Sequence, residues 1–134
     1  MRERGRDERR RAEALGLSAE TRAAWVLRLK LHSVLARRFR CAAGEIDIVA
    51  RRGRTLVFVE VKARDTLEAA IDAVTPRARA RILAAADAFV ARHPAHADLD
   101  RRFDIVAVMP GRWPRHLVDA FRADDPDLPR RGGR

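Results

Sequence analysis

Two runs of apolar residues around a short arginine-rich segment form the clearest pattern in the chain. Residues 45–49 alternate charged and β-branched side chains, and residues 55–62 are rich in valine with leucine and phenylalanine. Both runs have the composition of β-strands. The segment between them, residues 51–54, has the glycine and the length of a hairpin turn. The pattern predicts an antiparallel hairpin whose turn is centred between Arg52 and Gly53.

Helical spacing occurs on both sides of the hairpin. Ser18 is the predicted N-cap of a helix that runs to about Leu31, with a buried stripe at Ala23, Ala24, Leu27 and Leu31. After a weakly helical stretch at residues 67–74, Pro76 suits the first turn of another helix. That helix is expected to run to about His93, with an apolar face made of Ile82, Ala85, Ala86, Phe89 and Val90.

Three further segments have the properties of strands. The segment of residues 33–40 is short and mixes apolar residues with arginines. Residues 117–121 suit an edge strand. Residues 102–109 contain consecutive apolar positions, which are typical of a strand buried on both faces. The helix between residues 55–62 and 102–109 makes a βαβ unit, in which the two strands lie parallel. The predicted fold class is α/β, with a central mixed β-sheet that combines an antiparallel hairpin with a parallel βαβ unit.

The length of 134 residues is that of one domain with one core. Residues 1–16 are rich in Arg and Glu and lack apolar helical spacing, which predicts a mobile basic arm. Residues 17–122 are expected to form the single domain. The Pro-, Asp- and Arg-rich residues 123–134 are expected to form a disordered tail.

The formal net charge of +10 indicates a polyanionic partner, nucleic acid before membrane. A composition inherited from a GC-rich genome is the alternative explanation of the arginines. Cys41 is the only cysteine, which excludes an intramolecular disulfide and fits a reducing compartment. The chain begins without the apolar region of a signal peptide, and no apolar run is long enough to span a membrane. A cytoplasmic location is therefore expected.

Several residues with useful chemistry lack partners in the sequence. His32 and His116 each stand alone, and the glycines form neither a phosphate-binding loop nor a dinucleotide fingerprint. Trp25 and Trp113 could stack on bases, but packing is the commoner fate of an aromatic ring on a helix, where Trp25 lies. With two tryptophans and no tyrosine, an aromatic platform for single strands is not expected.

Charged residues alternate along both strands of the predicted hairpin. With the expected turn, Asp47 lies opposite Phe58, and Glu45 lies opposite Glu60. These three carboxylates then share one face with Lys62, because side chains alternate along a strand. The Cα atoms of Asp47 and Glu60 would be about 7–8 Å apart. Two carboxylates at that spacing can bind one Mg²⁺ together with waters and substrate phosphate. The alternative is the ordinary solvated side of a half-exposed hairpin.

Like charges that face one another on a sheet require compensation. A divalent metal would supply it, and Lys62 would supply part of it in the absence of metal. In a nuclease, such a lysine stabilises the charge on the scissile phosphate, or helps to orient and deprotonate the attacking water.

Three blocks occur in a fixed order: residues 44–50 (GEIDIVA), residues 56–64 (LVFVEVKAR) and residues 102–108 (RFDIVAV). In this order and spacing they resemble the YraN family of small bacterial proteins, over roughly residues 18–121. That family is regarded as predicted endonucleases, similar to archaeal Holliday-junction resolvases of the PD-(D/E)XK nuclease superfamily. The resemblance implies a restriction-endonuclease-like, three-layer fold. Glu45 belongs to the family's GEID signature and is expected near the site.

The resemblance also implies roles by position. Asp47 matches the motif aspartate, and Glu60 and Lys62 match the (D/E)XK pair. Glu20 matches the acidic residue on the family's first helix. The backbone carbonyl of Val61 would complete the shell of a Mg²⁺ or Mn²⁺ ion held by the two strand carboxylates.

The implied function is metal-dependent hydrolysis of DNA phosphodiesters in branched or structured DNA. The alternative is a non-catalytic nucleic-acid-binding or protein-interaction module on the same fold. Phosphate contacts are expected from arginines at the hairpin, Arg51, Arg52 and Arg54. Further contacts are expected from Arg77 or Arg79, where related sequences carry lysine or glutamine. Junction-cutting relatives act as dimers, so a homodimer is expected by analogy.

Overall fold

Three helices and five strands are found in residues 18–128, which the computed structural model describes. The helices are α1 (Ala19–Leu29), α2 (Leu67–Ala73) and α3 (Pro76–Arg92), and a 3₁₀ turn follows at Pro94–His96. The strands are β1 (Ser33–Cys41), β2 (Gly44–Arg52), β3 (Thr55–Ala63), β4 (Asp100–Val108) and β5 (Arg115–Phe121). No helix of this region is long and apolar enough to cross a membrane.

All five strands form one sheet in the order β1-β2-β3-β4-β5. Neighbouring strands are antiparallel except β3 and β4, which are parallel. The parallel pair is connected through α2 and α3, because parallel strands need a crossover connection. The prediction of an α/β fold with a mixed sheet, a hairpin and a βαβ unit is therefore confirmed.

Helices cover both faces of the sheet and give the fold three layers. The α1 cluster joins the first helix to the valines of the sheet, and includes Ala24, Leu27, Val59 and Val106. The α3 cluster joins the third helix to aromatic residues, and includes Phe58, Phe89, Phe103 and Phe121. Successive strand residues face opposite sides, so β3 contributes to both clusters. Burial of each large apolar side chain stabilises the fold by roughly 1.5–3 kcal/mol.

Each helix begins at a hydroxyl N-cap. The side-chain oxygens of Ser18, Thr66 and Thr75 each accept a hydrogen bond of 3.1 Å from a backbone N–H three residues later. Such a cap is worth about 1 kcal/mol. The predicted cap at Ser18 is confirmed. The predicted end at Leu31 is wrong, because α1 ends at Leu29 and Leu31 takes a φ of 66° with 79% of its surface exposed.

The hairpin between β2 and β3 has a tighter turn than the sequence predicted. Only Gly53 and Arg54 form the loop, and Gly53 adopts a φ of 59°. The register differs by two residues from the expected one, because Val49, and not Asp47, pairs with Phe58. A shift of two residues keeps each side chain on its predicted face for as long as the strands remain regular.

The predicted tail begins inside the described region. The Arg122 N–H donates a hydrogen bond of 2.8 Å to Asp125, and Leu128 packs against the α3 cluster. The predicted arm at residues 1–16 and the end of the chain, residues 129–134, lie outside the described residues. The predicted domain limits therefore stay predictions.

Trp25 does not pack into the core. It lies on the outer side of α1 with 54% of its surface exposed, and the Arg28 guanidinium is 5.7 Å from its ring centroid. The expectation that this ring is buried is wrong, because the inner side of α1 is occupied by small residues such as Ala23 and Ala24.

Candidate active site

Strand β2 changes face at Asp47. Ile48 belongs to the α1 cluster, whereas Ile46 belongs to the α3 cluster, although residues two apart on a regular strand share a face. Strand β1 is irregular opposite Asp47. Arg38 lies between the two β1 residues that pair with Ile48 and Ile46, and it has a φ of 55°. The ladder between β2 and β3 ends at the pair Ile48 and Val59. Asp47 thus lies where β2 diverges from β3.

The Asp47 side chain replaces the backbone pairing that ends there. Its Oδ2 accepts a hydrogen bond of 2.7 Å from the Val61 N–H. A backbone N–H away from water requires a partner, and a carboxylate is a stronger acceptor than a neutral carbonyl. This bond fixes the Asp47 carboxylate at the end of β3, next to Glu60 and Lys62.

The surroundings of Glu60 favour the protonated form of its carboxyl group. Its burial, together with the hydrogen bond and the negative charge of Asp47, raises the pKa of Glu60 to about 9. Two carboxyl groups that share a site do not both ionise readily. Lys62 partly opposes the rise in pKa, with its Nζ 3.7 Å from the Glu60 Oε1. The proton on Glu60 is one that a bound cation can displace.

The oxygen atoms of this pair suit a hard divalent cation. Mg²⁺ is commonly bound by one or two carboxylates together with waters and phosphate oxygens, and Asp47 and Glu60 supply two carboxylates. A cation would compensate their charges as the proton does. Within residues 18–128 no group of three or more Asp, Glu, His or Cys side chains is placed to hold a metal ion. Further ligands would therefore come from the backbone, water or substrate.

The Glu20 carboxylate is bound by two arginines of β1. Arg37 Nε lies 2.8 Å from its Oε1, and Arg38 Nε lies 3.2 Å from its Oε2. Arg37 pairs with Ile48, the residue after Asp47 on β2. The two arginines therefore lie on β1 beside the position of Asp47. The structure brings together Asp47, Glu60 and Lys62, and Arg37 and Arg38 engage Glu20.

Glu45 has a different partner from the one predicted. It lies opposite Arg40 of β1, and Arg40 Nε is 3.6 Å from its Oε2. The prediction that Glu45 lies opposite Glu60 and shares one face with the other charged residues is wrong. The physical reason is the change of face at Asp47, which breaks the alternation on which the prediction depended.

The predicted phosphate-binding arginines differ in their contacts. Arg51 donates from Nε to the Gly53 carbonyl at 2.9 Å and ties the hairpin loop. Arg79 donates to the Val74 carbonyl at 2.9 Å, and its guanidinium lies 5.5 Å from the ring centroid of Phe121. The exposed side chains are those of Arg52, Arg54 and Arg77. The hairpin loop lies at the opposite end of β3 from the carboxylate pair.

A second carboxylate, Asp104 on β4, is fully buried and has a complete set of donors. Its Oδ2 is 2.7 Å from His116 Nε2 and 2.8 Å from Arg102 Nη2, and its Oδ1 accepts from the Asp119 N–H at 2.9 Å. Burial alone would raise the pKa of Asp104. The hydrogen bonds from His116 and Arg102 outweigh burial and lower that pKa. Asp104 was not among the predicted site residues.

Two histidines extend this network to the end of α1. Arg102 Nη2 lies 2.9 Å from His32 Nε2, and His32 Nδ1 lies 3.1 Å from the Lys30 carbonyl. Lys30 Nζ lies 2.7 Å from His116 Nδ1. Arginine and charged lysine only donate, so the partners assign the proton of His32 to Nδ1 and that of His116 to Nε2. Burial, followed by the charge of Arg102, lowers the pKa of His32.

The sequence contained one usable signal for this network. Asp104 lies within a strand that was predicted to be buried on both faces, and Arg102 is two residues earlier on the same face. A buried charge without a partner is strongly unfavourable, so a partner was to be expected. The sequence offers no partner for His32 or His116, whereas in the structure their ring centroids are 5.8 Å apart. Only the packing of α1 against β4 and β5 brings them together.

An open cavity of about 1030 Å³ lies at the start of β3 and β4. Its lining within residues 18–128 includes Thr55, Asp100, Phe103 and Asp119. None of the site residues predicted from the sequence lines this cavity. The carboxylate pair, which is the candidate active site, lies at the other end of β3.

Comparison with known proteins identifies the family. The model of "Uncharacterised protein family UPF0102" matches residues 19–108. A UPF0102 protein of Parvibaculum lavamentivorans is 55% identical over 111 residues, which cover 83% of this chain and 84% of the relative. One of Methylorubrum extorquens is 55% identical over 116 residues, covering 87% and 91% respectively. One of a Bradyrhizobium species is 52% identical over 116 residues, covering 87% and 85%. Matches of this extent mean that the chain belongs to UPF0102, the YraN family.

Proposed function

We propose that this protein is a metal-dependent endonuclease that hydrolyses DNA phosphodiester bonds. The observation that carries the proposal is the contact of Asp47 with Glu60, which together with burial raises the pKa of Glu60 to about 9. Strongly shifted pKa values are concentrated at functional sites. A carboxyl pair that keeps a proton in the free protein is suited to exchange that proton for a divalent cation.

The proposed roles follow from these contacts. Asp47 and Glu60 would hold Mg²⁺ or Mn²⁺, with the Val61 backbone carbonyl as a further ligand. A bound ion of this kind supplies an activated water and neutralises charge on the phosphate. Lys62, with its Nζ 3.7 Å from Glu60, would donate to a phosphate oxygen or orient the attacking water. The Val61 N–H keeps Asp47 in position for this task.

Glu20 would support the site from α1 through its two arginines. The side chains of Arg37 and Arg38 are both exposed, so each can also contact a phosphate oxygen. Bidentate contact with phosphate is characteristic of arginine. Recognition of DNA would depend mainly on such phosphate contacts, and would therefore weaken steeply with added salt.

A second candidate is a non-catalytic nucleic-acid-binding or protein-interaction module on the same fold. The engagement of Glu20 by two arginines favours it, because the candidate site then has two carboxylates and not three. For the first candidate, the expected partner is DNA and the expected compartment is the cytoplasm. A homodimer is expected by analogy with junction-cutting relatives.

The test is cleavage of branched and flapped DNA by the purified protein in the presence of Mn²⁺. Asp47→Asn and Glu60→Gln should lower the cleavage rate by about 10²–10⁴-fold, because each removes a charged ligand. DNA affinity measured in EDTA should remain close to that of the wild type. Glu68→Gln, at an exposed position on α2, is the matched control and should cleave like the wild type.

Cleavage that survives in both site variants would indicate a contaminating nuclease and would contradict the proposal. DNA binding without any cleavage by the wild-type protein would favour the second candidate.

A further inference from the structure

Trp113 is an exposed aromatic ring on an anchored loop between β4 and β5. It has 68% of its surface exposed, whereas Met109 and Pro114 at the two ends of the loop are buried. Gly111 supplies the turn with a φ of 67°. An indole ring gains a large favourable free energy from burial. In this loop the two ends are buried and the ring is directed to solvent, where a ligand can cover it.

The loop lies at the same end of the sheet as the candidate active site. β3 and β4 are parallel, and Lys62 lies opposite Ala107. The Arg64 N–H donates to the Val108 carbonyl at 3.1 Å, so the two strands leave the sheet side by side. The loop that carries Trp113 and Lys62 therefore lie at one end of the sheet.

The surroundings of Trp113 are positively charged. Arg112 and Arg115 flank the ring with exposed side chains, and Arg64 is exposed beside the start of the loop. The chain has no Asp or Glu between residues 109 and 118. Arginines bind phosphates, and an aromatic ring beside them stacks on a base. Nucleic acid matches both features of this surface.

Trp25 does not have this combination of features. The Arg28 guanidinium already lies over its ring at 5.7 Å, and exposed Leu29 follows one turn later on α1. Trp25 therefore has a cation and an apolar neighbour from its own helix. It serves as an internal control for Trp113.

We propose that Trp113 stacks on an unpaired base of the nucleic acid that is bound at the candidate site. Bases within a duplex are stacked on both sides, so one ring on a loop can stack only where a base is unpaired or at a strand end. The preferred substrate is DNA with an unpaired segment next to the cut. This inference rests on the proposed function, because the candidate site supplies the position of the scissile phosphate.

Intrinsic fluorescence tests the proposal, because the chain has two tryptophans and no tyrosine. Trp25→Phe leaves Trp113 as the only tryptophan, and Trp113→Phe leaves Trp25. The titrations are made in EDTA, so that metal-dependent cleavage does not occur. We expect a short oligothymidylate to quench the emission of Trp25→Phe and to leave that of Trp113→Phe nearly unchanged.

Affinity measurements give a second readout. Trp113→Ala should weaken binding of the single-stranded oligonucleotide by about 5- to 150-fold, the range for loss of one base–aromatic stack. Its affinity for a relaxed, covalently closed circular duplex should change by less than about twofold, because that DNA has no unpaired bases and phosphate contacts carry its binding. Trp25→Ala is the matched control and should change neither affinity. The exposed position of both rings means that circular dichroism should find each variant folded.

Retention of quenching in Trp113→Phe would overturn the inference, as would an equal loss of affinity for single strands and duplex in Trp113→Ala. A change of Trp113 emission with protein concentration alone would identify a second copy of the chain as the occupant and would also overturn it. Failure of the nuclease proposal has a separate readout, which is Mn²⁺-dependent cleavage by the wild type. Quenching without cleavage would support the stacking site and contradict the nuclease.

Discussion

Two carboxylate groups in the same sheet differ in what compensates their charge. Asp104 on β4 has its pKa lowered, although burial alone would raise it, because His116 and Arg102 donate hydrogen bonds to it. Glu60 on β3 has its pKa raised, by burial and by Asp47 beside it. Both lie within one sheet, so location alone does not decide the direction of the shift. The identity of the neighbouring donors decides it.

The difference separates a structural carboxylate from a candidate functional one. The donors around Asp104 belong to the protein and remain in place. The Asp104 carboxylate and these donors form a network that joins the end of α1 to β4 and β5. The pair of Asp47 and Glu60 is compensated by a proton, which exchanges with solvent. We therefore expect removal of the first group to destabilise the fold and removal of the second to stabilise it.

The largest effect is expected for Asp104→Asn. This change leaves Arg102 without its counter-ion in a largely buried position and should lower the free energy of unfolding by about 3–5 kcal/mol. Urea unfolding measures it as a lower midpoint at unchanged slope. Asp72→Asn, at an exposed position on α2, is the control and should stay within about 0.5 kcal/mol of the wild type. A loss below about 1 kcal/mol for Asp104→Asn would remove the contrast between the two sites.

Glu60→Gln should raise the free energy of unfolding by about 1–3 kcal/mol at pH 8, because the amide keeps the shape of the protonated carboxyl and needs no proton uptake on folding. The unfolded chain releases the Glu60 proton near 4.5, and the folded protein releases it near 9. Wild-type stability therefore falls as pH rises between these values, and the variant lacks this part of the slope. Urea unfolding at pH 5 and pH 8 measures both quantities. A variant less stable than the wild type at pH 8 would show that the pair stabilises the fold.

The smallest effect is expected for His32→Gln, as a change in pH dependence. Burial lowers the pKa of His32, so the unfolded chain takes up a proton near pH 6.5 while the folded protein stays neutral to lower pH. Stability therefore falls as pH drops below about 6.5. The variant should lose this part of the slope, at most about 1.4 kcal/mol per pH unit. Thermal unfolding between pH 7 and pH 5 measures it, and an unchanged slope would mean that His32 does not titrate on unfolding.

The sequence was sufficient for the hairpin and the approach of its two carboxylates. Alternation along β3 placed Glu60 and Lys62 correctly, and the register error of two residues did not change the faces. The error arose from the assumed centre of the turn, which lies between Gly53 and Arg54 and not between Arg52 and Gly53. Alternation failed at Asp47 because its side chain takes the place of a backbone acceptor for β3. The pattern of apolar and polar positions does not reveal such a replacement.

The Asp104 network was beyond sequence reasoning for a different reason. Its members lie on α1, β4 and β5, and the contacts between them depend on how the helix end packs against the sheet. His32 and His116 are far apart in the chain, and nothing local relates them. The exposure of Trp113 likewise depends on which residues of its loop the sheet buries, and composition does not determine that.

The two groups also differ in the length of chain that must be ordered to form them. Asp47 and Glu60 belong to one hairpin with a two-residue loop, so closing that hairpin brings them together. The network around Asp104 links Lys30 to His116 and forms only when the whole sheet is assembled. Short loops close with less loss of entropy than long ones. The carboxylate pair is therefore expected to form earlier in folding than the network around Asp104.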